Sequence, residues 1–427
     1  MNKKLLCSLL LSAFALTGCG NDANKTTDKP EEKNQNQQEV PPRPDYTTLF
    51  TLDSPEDPVC MVNDKVKTYT DGIYAQRDAA GVNAADEDKI VSPLYSETMK
   101  VGQYKGDYDE CKPVELSFTV DDSIKDEKMV VRYWLQEDED NYKEVEPVDG
   151  KVSLQNLFRS SVYEWQVVAE SGKASKIASF ETGDYVRFLN VGSIPNFRDN
   201  GGWKTVDGKR VKQGLVYRGF ELNDHRLSNG HAQNVMGDDD PGKDVFVKDL
   251  GIRAEIDLRS DSEADNITKC AMNKEGVTES DPEFVKYERI KVGSYATGLK
   301  DNKAEYKKIF ENYLAKADEA PVYYHCYGGA DRTGTIGFML GAILGMSYSD
   351  LIIDYEATTF SNNLKEHDRD SDQYTHFPAM LEEIQGWSYY SANKTLSEVI
   401  ETYLVQDCGV STSAIAKIRN IMLEDID

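Results

Sequence analysis

The segment Val322-Tyr323-Tyr324-His325-Cys326-Tyr327-Gly328-Gly329-Ala330-Asp331-Arg332-Thr333-Gly334 constrains this chain more than any other. An apolar, aromatic run enters it, a loop of small residues follows, and a helical pattern leaves it. In that pattern Ile336, Met339, Leu340 and Ile343 recur at helical spacing. Strand, tight loop and helix N-terminus form an arrangement that binds an oxyanion, because unpaired backbone N–H groups converge in the loop. Gly328 and Gly329 let the backbone turn closely around such an anion. The expected fold for this half of the chain is an α/β domain with a central sheet flanked by helices.

His325 and Cys326 followed at six residues by Arg332, then Thr333 and Gly334, resemble the HC-x5-R-[ST] phosphate loop of the protein tyrosine phosphatase superfamily. Ile194-Pro195-Asn196-Phe197-Arg198-Asp199-Asn200-Gly201-Gly202 resembles the NFRDLGG signature of its bacterial lipid-active and secreted branch. Val216-Tyr217-Arg218-Gly219 is similar to that branch's YRS segment, with Gly219 in place of serine. Leu250-Gly251-Ile252-Arg253-Ala254-Glu255-Ile256-Asp257-Leu258-Arg259-Ser260 resembles its IDLRS strand. The resemblance runs over 186–427 and implies a cysteine phosphatase domain that needs no cofactor and no metal.

What the resemblance implies for each residue follows from phosphate monoester chemistry. Cys326, at a helix N-terminus beside a cation, is the nucleophile as thiolate, and forms a phosphocysteine. Arg332 binds two phosphate oxygens, and Tyr327, Gly328, Gly329, Ala330, Asp331 and Thr333 complete the phosphate-binding loop. Thr333 helps release the sulfur, and His325 orders the loop from behind. No Trp-Pro-Asp tripeptide is present, so the general acid is Asp331 or, as second candidate, Asp257, whose other reading is a salt bridge to Arg259. Asp331 could instead only orient Arg332. Relatives active on phosphoinositides carry lysine where this chain has Ala330. Arg198, Arg218 and Arg259 suggest a basic rim over the site, with Arg198 and Arg259 supporting Asp199 and the loop. Tyr324 and Tyr327 either line an aryl pocket or pack.

Ahead of this domain, 46–183 reads as short strands between turn signals. Val114 to Val120 alternates apolar and polar residues, Met129 to Leu135 is a second strand, and Tyr142 to Val148 a third. Val152 to Leu157, Tyr163-x-Trp165-x-Val167 and Lys176 to Thr182 continue the pattern, which resembles an all-β immunoglobulin or fibronectin type III sandwich. The Tyr-Trp stripe is a core face or a carbohydrate platform. Asp238 to Asp244 reads as a solvated loop without EF-hand spacing.

The first 18 residues read as an address. Lys3 and Lys4 precede an apolar run, Leu5 to Ala15, too short for the roughly 20 residues of a membrane span. Leu16-Thr17-Gly18-Cys19 resembles a bacterial lipobox, which implies a chain exported and anchored to the membrane through lipid on Cys19. Residues 19–45, rich in Asn, Asp, Lys, Thr, Gln and Pro, fit a disordered tether. Oxidising surroundings would permit a Cys60–Cys111 disulfide, with two free thiols as the alternative. A net charge of −26 speaks against a nucleic-acid partner. The expected partner is a phosphorylated protein or small phosphomonoester, with a cell-surface partner for the sandwich. The implied activity is hydrolysis of phosphotyrosine, or of phosphoproteins with dual specificity. Its alternatives are a phosphoinositide or inositol-phosphate phosphatase and a non-catalytic adhesion lipoprotein.

Overall fold

Period-two alternation builds the front of the molecule. The strands are β1 (Phe50–Asp53), β2 (Val114–Val120), β3 (Met129–Leu135), β4 (Lys143–Val145), β5 (Lys151–Leu154), β6 (Val162–Ala169) and β7 (Ala178–Glu181). In β6 every second residue, Tyr163, Trp165, Val167 and Ala169, is buried. Two antiparallel sheets, ordered β1-β2-β5 and β4-β3-β6-β7, share one core that includes Phe50, Leu116, Val131, Trp165 and Phe180. The Tyr-Trp stripe is therefore a core face, and the Trp165 indole donates inward to Ser54 Oγ at 3.1 Å. The computed structural model describes residues 46–56, 58–82, 87, 110–192, 194–223, 240–264, 267–361 and 376–426. The leader 1–18, Cys19, the tether 19–45 and Asp238-Asp239 lie outside the described residues.

The front region is not all β. Helix α1 (Asp64–Ala79) is capped by Asn63, whose side chain accepts from the Lys65 N–H at 3.0 Å. Its buried face, Val66, Tyr69, Thr70 and Ile73, turns away from the front core. Val66, Tyr69 and Ile73 join the larger core further along the chain, and Tyr74 Oη donates to Asp350 Oδ1 at 2.6 Å. Cys60 and Cys111 are both free thiols, the second of the two alternatives read from sequence.

The second half is built on a mixed five-stranded sheet. Its strands are β8 (Arg198–Asp199), β10 (Val216–Gly219), β11 (Ala254–Asp257), β12 (Lys286–Arg289) and β13 (Val322–His325), in the order β12-β11-β13-β10-β8. β13 lies at the centre, parallel to both β10 and β11, while β8 runs antiparallel to β10. A central parallel strand is covered on both faces, which is why all four residues of β13 are apolar, aromatic or histidine and all are buried. β9 (Lys209–Val211) pairs separately with β14 (Leu423–Asp425).

The helices here are α2 (Pro241–Asp244), α3 (Asp261–Ala264), α4 (Tyr295–Asp301), α5 (Lys303–Asn312), α6 (Asp331–Ile343), α7 (Tyr348–Glu356), α8 (His376–Gln385), α9 (Leu396–Thr402) and α10 (Thr412–Met422). Helix α6 is buried from Thr333 to Ile343 and packs against α4, α7 and α9. The solvated loop expected over Asp238 to Asp244 is corrected over its described part, where Pro241–Asp244 is helix α2 and Gly242 and Lys243 are buried. Asp240 caps α2 by accepting from Gly242 N–H at 2.8 Å, and Asp244 is held by Lys248 and Lys274. Among the described residues no helix is long and apolar enough to cross a membrane.

Candidate active site

The loop between β13 and α6 is held from outside by its own carbonyls. Cys326 O lies 2.8 Å from His325 Nδ1, and Tyr327 O accepts from the Glu221 N–H at 3.0 Å. Gly328 O accepts from Asn196 Nδ2 at 3.0 Å, and Gly329 O from Arg218 Nη2 at 2.9 Å. Four successive carbonyls turned towards the scaffold leave the amide N–H groups to converge on the other side, as an anion cradle requires. Gly329 has φ +68°, and a Cβ there would overlap the Gly219 carbonyl. Gly219 is itself forced: a Cβ would meet Tyr323 Oη at 2.6 Å. That close approach accounts for glycine where the resembling segment has serine.

Cys326 is buried at the start of this loop. Burial alone raises a thiol pKa, but the Arg332 guanidinium and the Thr333 hydroxyl and amide outweigh burial and the opposing Asp331 charge. The net effect holds the Cys326 thiol below its ordinary value. Thr333 Oγ1 is buried, and its hydroxyl acts on the Cys326 sulfur. Arg332 is held in bidentate fashion by Glu263, at 2.6 Å and 2.8 Å. Glu263 is in turn fixed by the Ser260 N–H and hydroxyl, at 3.0 Å and 2.7 Å. The Arg332 hydrogen bonds, against partial burial, pull the Glu263 carboxyl down to about 2.

Asp331 and Asp257 sit in different surroundings. Asp331 is half-buried at the first turn of α6 and accepts from Tyr295 Oη at 2.7 Å. Asp257 is buried, clamped by Arg259 at 2.7 Å and 2.9 Å, and accepts from Tyr287 Oη at 2.9 Å. Burial opposes its charge, but His325 and Arg259 hold its carboxyl well below the usual carboxylate range. A carboxylate so committed has no proton to give, which favours its salt-bridge reading. His325 lies beneath the loop with Nε2 2.9 Å from Glu255 Oε1. Desolvation lowers the imidazole pKa, yet the Asp257 and Glu255 carboxylates raise it on balance above 6.5.

The basic rim is corrected. Arg198, Arg218 and Arg259 are each fully buried, so none faces the site from its surface. Arg198 does not support Asp199: it donates to Asp354 at 2.9 Å and to Asn196, and Asp199 pairs instead with Arg187. Burial lowers the Arg198 pKa to about 10, with Arg218 adding to it and Asp354 opposing. Arg259 joins Asp257 and Glu221, and so ties β11 to the chain after β10. Of the two tyrosines, Tyr324 is core, its hydroxyl accepting from Asn200 at 3.0 Å. Tyr327 is half-buried and leans on Phe220, with centroids 5.1 Å apart. Sequence reading missed Asn196, Glu221, Glu255, Glu263, Tyr295 and Asp354. Asn196 and Glu255 lie inside the signature segments without having been given a role, and Glu263 had the Ser260-x-x-Glu263 spacing of a capping box as a local signal.

Comparison with known proteins adds a family. The sequence matches the tyrosine phosphatase family over residues 189–424. No curated protein matches it. Among solved structures it is similar to the sensor domain of the anti-sigma factor RsgI4 of Pseudobacteroides cellulosolvens, at 14% identity over 17% of this chain and 65% of that one, TM-score 0.15. It is similar to the core catalytic domain of the PP-IP phosphatase SIW14 of S. cerevisiae in complex with citrate, at 13% identity over 49% and 87% of the chains, TM-score 0.24. It is also similar to P. aeruginosa TpbA in complex with pTyr, at 15% identity over 42% and 96%, TM-score 0.24.

Proposed function

The chain belongs to the tyrosine phosphatase family, and on that premise we propose that it hydrolyses phosphotyrosine monoesters through a phosphocysteine intermediate. The observation that carries the reading is the loop whose carbonyls face the scaffold while a low-pKa thiol stands at its start. The Cys326 thiolate attacks phosphorus in line, forming the P–S bond as the ester P–O bond breaks. Asp331 gives its proton to the departing oxygen. Loop amides and Arg332, whose guanidinium Glu263 holds, neutralise the equatorial oxygens. Water then attacks phosphorus, Asp331 takes its proton, and the sulfur leaves as thiolate, to which the Thr333 hydroxyl donates.

Ala330 brings no charge to the loop, which favours one aryl-linked phosphate over a multiply phosphorylated ring. The proposal includes export and lipid attachment at Cys19, with the front sheets as a stalk. Phosphate release by residues 20–427 tests it with a phosphotyrosine peptide beside inositol phosphates. Phosphotyrosine turnover that falls at least a thousand-fold in Cys326→Ser is expected. Preference for inositol phosphates would replace the substrate class, and undiminished turnover by the serine form would remove the mechanism.

A further inference from the structure

Tyr295 is a tyrosine at φ +52°, in the left-handed region where a bulky side chain is uncommon and strained. Its surroundings fix it there. The Tyr295 N–H donates to Thr335 Oγ1 at 2.8 Å, and Thr335 in turn donates to Asp331 O at 2.9 Å. The side chain, only 5% exposed, donates from Oη to Asp331 Oδ1 at 2.7 Å and shares a 2.8 Å hydrogen bond with Tyr355 Oη. One ring face stacks on His376 at 5.8 Å, and the Tyr355 ring meets it edge-on at 6.2 Å. Backbone and hydroxyl thus both grip the first turn of α6, where Asp331 stands. Burial and the neighbouring Tyr355 and Asp331 push the Tyr295 hydroxyl far above its ordinary pKa, so it remains a donor at every working pH.

We propose that Tyr295 is the positioning residue for Asp331, holding Oδ1 so that the proton on Oδ2 faces the leaving oxygen; this rests on Asp331 being the proton donor. A carboxylic acid pinned at one oxygen has its other oxygen fixed in direction. When the ester P–O bond breaks, the Oδ2 proton passes to the leaving oxygen, and the Tyr295 hydrogen bond stabilises the carboxylate that remains. In the second step the same carboxylate is already aimed to take a proton from the attacking water.

The test compares Tyr295→Phe, Tyr355→Phe, Asp331→Asn and the Tyr295→Phe/Asp331→Asn double variant in the full chain. Phenyl phosphate serves as the poor leaving group and 2,4-dinitrophenyl phosphate as the activated one. Tyr295→Phe is expected to lower kcat/KM, which reports the steps up to ester P–O cleavage, about ten-fold for phenyl phosphate, a fraction of the roughly hundred-fold or larger effect of a general acid, while kcat/KM for dinitrophenyl phosphate stays within about two-fold. The basic limb of its kcat/KM–pH profile for phenyl phosphate should shift, vanadate affinity should hold, and the double variant should be no slower than Asp331→Asn. Tyr355→Phe, which leaves the Tyr295–Asp331 contact, should show a smaller loss of the same pattern. Equal loss of kcat/KM on both substrates, or additive losses in the double variant, would overturn the positioning role. If Asp331→Asn itself shows no leaving-group dependence, the proton-donor assignment fails, and the inference fails with it at an identifiable step.

Discussion

Asp354 sits between two fully buried guanidiniums. Its Oδ1 accepts from Arg198 Nε at 2.9 Å and its Oδ2 from Arg218 Nη1 at 2.7 Å. Arg218 passes the constraint on to the Gly329 carbonyl, so one carboxylate on α7 sets the back of the phosphate loop. Burial raises the Asp354 pKa, but the two arginines lower it further, and the net shift is downward. An acid whose folded pKa is depressed contributes stability that is fully present above its unfolded value and is lost as pH falls through the folded one. Asp354→Asn leaves two buried cations short of a partner. We expect a loss of about 3–5 kcal/mol in denaturant unfolding at pH 7. That loss should shrink as the pH is taken below about 4, where the carboxylate of the unfolded chain takes up a proton that the folded one still refuses, and should vanish once the pH passes below the folded pKa. A variant as stable as wild type at pH 7 would mean that Asp354 does not hold the pair together.

At the scale of elements, what could be read was what the chain writes locally. The run Val322–His325, the glycines and the repeat of Ile336, Met339, Leu340 and Ile343 announce strand, loop and helix within 22 residues, and β13 and α6 follow them. Period two likewise announces β2 and β6. The partners of the loop were not legible, because Asn196, Arg218 and Glu221 reach it across more than 100 residues and no spacing encodes such a meeting. Helix α1 is a different case: Val66, Tyr69, Thr70 and Ile73 stand at helical spacing behind an Asn63 cap, a signal present in the sequence but overlooked among strands. The loop also makes an element-level prediction. Gly329→Ala forces a Cβ into the Gly219 backbone at a positive φ, so loop and β10 must separate. The expected result is loss of tungstate binding by calorimetry and a fall in kcat/KM of at least about a hundred-fold, since a displacement of 1 Å at the reacting centre costs that much. Retained oxyanion affinity would show that the cradle tolerates the shift.

At the scale of the whole molecule, the front sheets and the catalytic sheet share more than a covalent link at Gly183-Asp184. Arg187, buried, donates to Leu157 O at 2.8 Å and Asn156 O at 2.6 Å while pairing with Asp199 of the signature segment. Asp199 also accepts from the Gly201 and Gly214 N–H groups at 2.7 Å each, so the turn that receives the front sheets is the turn that follows β8. Arg159 lies over the Trp203 ring at 4.2 Å and pairs with Asp184, while its backbone N–H donates to Gln213 Oε1 at 2.9 Å and its carbonyl accepts from Gln213 Nε2 at 3.0 Å. With α1 packed into the catalytic core as well, residues 46–427 form one compact unit. The buried Arg187 thus joins Asp199 of the catalytic half to two carbonyls of the front region, and a buried charge that loses its partner costs several kcal/mol, so this contact couples the two sides. Residues 20–427 should therefore unfold in a single calorimetric transition with equal calorimetric and van't Hoff enthalpies. Arg187→Ala, which strips the buried Asp199 of its cation, should lower that one transition by about 3–5 kcal/mol without splitting it. Two separate transitions in the wild-type protein would mean that the front sheets are an independent module hung from the catalytic domain.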